Sequence, residues 1–283
     1  MADVAAKDVA ALRKLTGAGM MDCKKALTET EGDLDAAKDW LRERSLAGAS
    51  KRAERSADQG AVEVVVESHA AALVELTAET DFVAKSDDFQ RLLSGIAARV
   101  LADGDGDVAV KDHDGSTIGE SIDALSGTLG EKIELGRVVR YETDDGVIDG
   151  YRHIQAERGV IGVLVELGGI ERTDDAGDVA HDIALHIANS APRYTTRDEI
   201  PSDIVAKERE VLENLTRNEG KPEAAIAKIV EGRINSFFKD HVLVEQPFVK
   251  DARTTIAELV STLGPEAEVR RFVRVKIGEA EGE

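Results

Sequence analysis

One cysteine, one tryptophan and five prolines occur in 283 residues, and aromatic side chains make up only 4% of them. With Cys23 alone no disulfide can close within the chain, which fits a reducing compartment. So few aromatics leave Val, Leu, Ile and Ala to fill the interior. No apolar run approaches the roughly 20 residues that cross a bilayer, and no membrane association is expected. The N-terminus MADVAAKDVAALRKLTG has neither the basic start nor the unbroken apolar core of a secretory leader. Positive charge is in deficit: 36 Lys and Arg stand against 56 Asp and Glu, a formal net charge of −20. A phosphate backbone would repel such a chain, so direct binding to nucleic acid is not expected. These absences predict a cytoplasmic protein.

Signatures of chemistry are missing as well. His181 and His186 are five apart, which points them to different sides of a helix and leaves no metal set with Cys23. Asp103, Asp105 and Asp107 imitate the start of a calcium loop. Val108, however, stands where the sharp turn needs Gly, and Asp114 where the loop ends on Glu. GAGMMDCKK from Gly17 has Cys23 where a phosphate loop requires Gly before its Lys. No Gly-rich turn follows a strand in dinucleotide-binding fashion. The expectation is a protein with no catalytic residues, no metal and no cofactor, and not an enzyme.

What is present has order. Residues 3 to about 46 read as three short helices. Val9, Leu12 and Leu15 are spaced for one helix that Gly17 stops, MDCKKALTETEG forms a second, and Asp33 caps a third carrying Leu34, Ala37, Trp40 and Leu41. AGASKRAERSADQG then reads as a linker with at most a turn of helix. From Ala61 the period changes to that of a hairpin. Phe89, Leu92, Leu93, Ile96, Ala97, Val100 and Leu101 follow on one helical face, and KIELGRVVRYE returns to strand.

The chain also repeats itself. LVEL at Leu73–Leu76 returns at Leu164–Leu167, 91 residues on, and at that offset Asp87, Leu92, Ile96 and Ala97 fall on Asp178, Ile183, Ile187 and Ala188. TLGEKIELGRVVR from Thr128 lines up with TLGPEAEVRRFVR from Thr262 at an offset of 134. The sequence is therefore read as a duplicated α+β unit whose second copy carries an insertion. Within that insertion Ile204, Val205, Val211, Leu212 and Leu215 precede Gly220-Lys221-Pro222, and Ile226, Ile229, Val230, Ile234, Phe237 and Phe238 follow. This predicts an antiparallel helical hairpin too thin to cover both apolar stripes. A second copy of the chain or a partner is expected to cover the remainder.

ELTAETDFVAKSDDF, Glu75 to Phe89, poses one question. Phe82 is one of six phenylalanines and sits in what reads as a connecting loop. Either Asp81 caps a helical turn and Phe82 packs inward, or Phe82 stands outside for a partner.

Three stretches together, LRKLTGAGMMDCKKAL (Leu12–Leu27), TDFVAK (Thr80–Lys85) and IVEGRINSFF with QPFV (Ile229–Val249), resemble bacterial translation elongation factor Ts. The likeness runs through nearly the whole chain in that family's order. It implies a ubiquitin-associated-like three-helix domain over residues 1–55 and a first core half over 56–145. A second half would span 146–195 and 240–283, interrupted by the helical hairpin at 196–239. It implies guanine nucleotide exchange on elongation factor Tu, with release of its GDP. Thr80, Asp81, Phe82 and Val83 would then form the loop that intrudes beside the magnesium and phosphate site of the GTPase. In that loop Phe82 is the wedge, Asp81 supplies charge and position, and Val83 supports the base. Arg13, Met20 and Met21 would face the GTPase domain, one of the methionines being half buried, and His153 in GYRHIQ would be a second-half contact. In one departure from the family, the chain stops soon after RRFVRVKIG without the terminal helical module of some members. Two other classes stay open on the residues: an adaptor that binds a protein through the bundle and oligomerises through the arm, and an enzyme acting on a nucleotide.

Overall fold

The structure, a computed structural model, describes residues 4–279, the side chains of 45–51 excepted. Three helices open it: α1 (Ala6–Thr16), α2 (Met20–Glu29) and α3 (Leu34–Ala53). Val9, Leu12, Cys23, Ala26, Leu27 and Ala37 make their shared core, with Trp40 and Leu41 packed against it. Gly17 ends α1 in the left-handed region, and the Asp33 carboxylate accepts the amides of Asp35 and Ala36 at 2.9 and 3.0 Å. One expectation is corrected here, and the α1 series divides. Val9, Leu12 and Leu15 all lie on α1, but Leu15 is 70% exposed. The buried stripe runs from Val9 and Leu12 toward Thr16, whose hydroxyl donates to the Leu12 carbonyl at 2.7 Å, and Leu15 falls beside it. The first half of the segment read as a linker is also helix, because α3 continues to Ala53. Ala47, Ala49, Lys51, Arg52 and Ala53 favour helix, and Gly48 alone opposes it.

The rest is a doubled sheet-and-helix unit. The first half comprises β1 (Gln59–Val66), β2 (Ala70–Ala78), the one-turn α4 (Asp81–Ala84), α5 (Asp87–Asp103), a small ribbon of β3 (Asp112–His113) and β4 (Ser116–Thr117), α6 (Ile118–Leu129) and β5 (Ile133–Glu142). The second comprises β6 (Val147–Gln155), β7 (Arg158–Gly168), α7 (Asp174–Ser190), the arm helices α8 (Ser202–Asn218) and α9 (Glu223–His241), a ribbon of β8 (Pro247–Phe248) and β9 (Asp251–Thr255), α10 (Ile256–Ser261) and β10 (Glu268–Lys276). Each half has one three-stranded antiparallel sheet, ordered β1-β2-β5 and β6-β7-β10, beside its two-stranded ribbon. The fold is α+β, and the duplication read from LVEL holds in three dimensions. Leu73 faces Val139 across its sheet, and Leu164 faces Val273, residues that the two offsets make equivalent.

Alternation along the central strands explains why both are buried on two faces. Ala72, Val74, Leu76 and Ala78 turn toward Phe89, Leu93, Ile96 and Val100 of α5. Ala71 and Leu73 turn the other way and meet Leu164, Ile148 and Val275 of the second sheet. Correspondingly, Val163, Val165 and Leu167 face Ile183 and Ile187 of α7. Gly162 permits the sheets to close, since a Cβ there would stand 2.4 Å from Val62 Cγ1.

In the arm, Ile226, Val230, Ile234 and Phe238 of α9 pack inward with Val205 and Leu212 of α8. Ile204, Val211 and Leu215 stay 38%, 52% and 47% exposed. The uncovered stripe lies on α8, whereas Ile234 belongs to the hairpin's own core. No helix among the described residues is long and apolar enough to cross a membrane.

Candidate partner-binding surface

The Thr80–Val83 segment is not an open loop but the start of a single helical turn. Thr80, in extended backbone, is its cap, and its hydroxyl accepts the Val83 amide at 3.3 Å. The cap is thus Thr80 rather than Asp81. Asp81 instead receives the Lys85 ammonium at 2.6 Å, one turn on, and that hydrogen bond holds its carboxyl below the usual range. Four residues cannot sustain a helix by themselves, and this turn is tied at both ends. The Ser86 hydroxyl donates to the Val83 carbonyl at 2.8 Å, and the Gln90 amide to the Ala84 carbonyl at 2.6 Å. Ala84 is buried, and Val83 packs on the core of the first half.

This leaves one side chain outside. Phe82 is 81% exposed, the most open of the large apolar residues named so far. The inward alternative is therefore excluded: the ring stands in water on a fixed turn. An aromatic held out by a rigid support loses little conformational entropy when a partner covers it.

A second group surrounds the turn between α1 and α2. Arg13 is exposed in the last turn of α1. Met20 and Met21, the first residues of α2, are 59% and 72% exposed. The expectation that one methionine is half buried is corrected, because Cys23, Ala26 and Leu27 supply the buried face of α2. Leu15 joins this patch, and the sequence reading missed it. Its angular offset from Val9 and Leu12 on α1 was the available signal.

His153 is on a different element, exposed on β6. The Tyr151 hydroxyl is 3.2 Å from its Nδ1, and the Tyr151 ring meets His181 edge-on at 6.3 Å. His181 Nδ1 is 2.8 Å from Asp149 Oδ2. His186, five residues along α7, is buried instead. Its Nδ1 accepts the Val249 amide at 3.2 Å, its Nε2 meets Gln246 Oε1 at 2.9 Å, and burial pushes its pKa down. The acidic turn that imitates a calcium loop is occupied by protein groups: Arg99 pairs with Asp103 at 2.6 Å, and Asp105 accepts the Arg140 amide at 3.0 Å. Among the described residues no cluster of three His, Cys, Asp or Glu could hold a metal. The exposed candidate groups thus lie on four elements, α1, α2, α4 and β6.

Known proteins resemble the whole chain. The family described as Elongation factor TS matches residues 79–279, and that described as Elongation factor Ts, mitochondrial, N-terminal, matches residues 1–48. Elongation factor Ts of Mycobacterium avium (strain 104) is 44% identical over 286 residues, covering 99% of this chain and 100% of the relative. That of Thermobifida fusca (strain YX) is 45% identical over 287 residues, with 99% and 100% covered. That of Nocardioides sp. (strain ATCC BAA-499 / JS614) is 46% identical over 284 residues, with 98% and 100% covered.

Proposed function

The chain belongs to the elongation factor Ts family of translation elongation factors, and we propose that it binds elongation factor Tu–GDP and expels the GDP. Tight nucleotide binding rests on Mg²⁺ and on backbone donors gathered around the phosphates. A partner that stabilises a displaced arrangement of that cradle weakens nucleotide by the same coupling energy with which nucleotide weakens the partner. Phe82 enters between elements of the GTPase beside the phosphate site, Asp81 sets the charge and position of the turn, and Thr80 and Val83 support it. Arg13, Met20 and Met21 dock the three-helix domain on the GTPase, and His153 contacts it from the second half. No bond of the nucleotide is made or broken, so exchange requires no acid, base or nucleophile, and the protein is not an enzyme. It acts in the cytoplasm. The observation that carries this reading is the exposed Phe82 ring on a turn tied at both ends.

Release of a fluorescent GDP from elongation factor Tu, with and without the protein, tests it. Acceleration by orders of magnitude is expected. Binding without acceleration would favour an adaptor instead.

The apolar stripe of α8 is best covered by a second copy of the chain. Val211→Glu should then lower the mass seen by light scattering. A parent protein that is monomeric at every concentration would exclude self-association.

A further inference from the structure

Much of the restraint on the Phe82 turn comes from the loop between α6 and β5, about fifty residues away in sequence. Gly130 ends α6 at φ +76, in the left-handed region, and turns the chain back toward the end of β2. There two glutamates reach across in opposite directions. Glu79 accepts the Lys132 amide at 2.6 Å. Glu131 accepts the Thr80 amide at 3.0 Å through one oxygen and the Thr80 hydroxyl at 2.7 Å through the other. The Ser126 hydroxyl donates to the Glu131 carbonyl at 2.6 Å, and Arg55 donates to Glu79 at 3.0 Å and to the Gly130 carbonyl at 3.3 Å.

We propose that Glu131 is a positioning residue for nucleotide exchange: by taking both hydrogens of Thr80 it fixes the hydroxyl that caps the turn, and so the direction in which Phe82 is presented. A hydroxyl has one hydrogen and two lone pairs. Once that hydrogen is committed to Glu131, a lone pair remains for the Val83 amide, and donation to a carboxylate makes the oxygen a better acceptor. Without Glu131 the hydroxyl can rotate and the cap weakens, so the N-terminal end of a four-residue helix is held less firmly. The ring would still be exposed but no longer held in one place. The cost then falls on reaching the displaced state of the partner more than on docking, because other surfaces share the docking.

The duplicated half is an internal control. At the offset of 134 the counterpart of Glu131 is Pro265, which has neither carboxylate nor amide hydrogen. There α7 starts at Asp174 as one unbroken helix, with Thr173 capping the Ala176 amide at 3.1 Å without a glutamate behind it. Among the described residues the carboxylate clasp occurs in the half that carries the exposed phenylalanine and not in the other.

This inference rests on the exchange reading above, and a mutant cycle separates the two. The maximal rate of fluorescent GDP release and the half-saturating concentration would be measured for Glu131→Ala, Glu131→Gln, Phe82→Ala and the Glu131→Ala/Phe82→Ala pair. Glu131→Ala should lower the maximal rate about 10-fold and move half-saturation less than about 2-fold, whereas Glu131→Gln, which keeps one acceptor oxygen but sets an NH2 against the second donor, should recover only part of the rate. The double variant should be no slower than Phe82→Ala alone, since Glu131 acts through that ring. A parental rate for Glu131→Ala beside a slow Phe82→Ala overturns the positioning role and leaves the exchange reading standing. Losses that multiply in the double variant overturn it too, because Glu131 would then act independently of the ring. A parental rate for Phe82→Ala overturns both. Should Glu131→Ala fail to fold, Glu131→Gln and its double variant carry the same cycle, with a smaller but still non-multiplying loss expected.

Discussion

The two core halves share one buried ion pair and differ in one clasp. Glu75 and Glu166, the glutamates of the two LVEL stretches, are 7% and 4% exposed on the face where the sheets meet. Arg137 reaches Glu75 at 3.1 Å and Arg271 reaches Glu166 at 2.6 Å, each from an irregularity in the outer strand. Each arginine then crosses to the other sheet, Arg137 to the Lys276 carbonyl at 3.4 Å and Arg271 to the Glu142 carbonyl at 3.5 Å. These contacts are related by the offset of the repeat, so the halves meet about a local two-fold axis. A feature held in both copies serves the junction that both copies build. The turn bearing Phe82, with Glu131 behind it, is in one copy only, and its reason must be sought outside the fold.

That distinction can be broken by measurement. The largest effect is expected from the shared pair. Arg137→Ala leaves Glu75 buried with little beyond the Arg137 amide, and should cost about 3 kcal/mol of stability in a denaturant titration. Exchange per folded molecule should stay at the parental level. A stability within experimental error of the parent would end the assignment of the pair to the junction.

Phe82→Ala should do the reverse. Melting should move by no more than about 0.5 kcal/mol, since an exposed ring contributes little to folding. Exchange at saturation should fall at least about 10-fold, with partial recovery when free Mg²⁺ is lowered. A large loss of stability with full exchange in the surviving folded protein would show that Phe82 belongs with the shared features.

A smaller change is expected at the three-helix domain. Arg13→Ala should raise the half-saturating concentration about 3-fold and leave the maximal rate alone, as a rim charge does. A lowered maximal rate would move Arg13 into the same class as Phe82.

The smallest effect concerns pH. Burial holds the folded pKa of His186 below the ordinary histidine value of 6.5, so as pH falls through that value the unfolded chain takes up the proton first. The stabilisation is full above pH 6.5 and is lost progressively toward the lower folded value. Melting temperature should fall between pH 7.5 and 5.5, and the fall should shrink in His186→Gln. An unchanged pH profile in the variant would remove His186 from that role.

Legibility in the sequence followed the range of the interactions. The α5 face, the Asp33 cap and the repeat were readable because each is written in spacing within one segment or in matched residues at a constant offset. The exposure of Phe82 was not, because the same four letters suit an inward anchor and an outward ring. Helix α3 overran its expected end since small residues and basic ones suit linker and helix alike. The Thr80–Glu131 contact joins positions 51 apart with no periodic signal, and only folding brings them together. The resemblance marked Thr80–Val83 for a partner but named nothing behind them. The residues that hold the turn came from hydrogen bonds.

The local two-fold axis has a consequence for how such a molecule can change. Two separate copies of one unit, paired about the same axis, would be translated from one gene, and every substitution would appear twice. A glutamate useful at one site would be imposed on the other, and a proline tolerated at one would have to be tolerated at both. Joined in a single chain, the copies are free to diverge. Position 131 carries a carboxylate while position 265 is proline, and an arm of two helices interrupts one copy but not the other. Symmetry holds where the copies lean on each other, and it has lapsed at the Phe82 turn and at the arm.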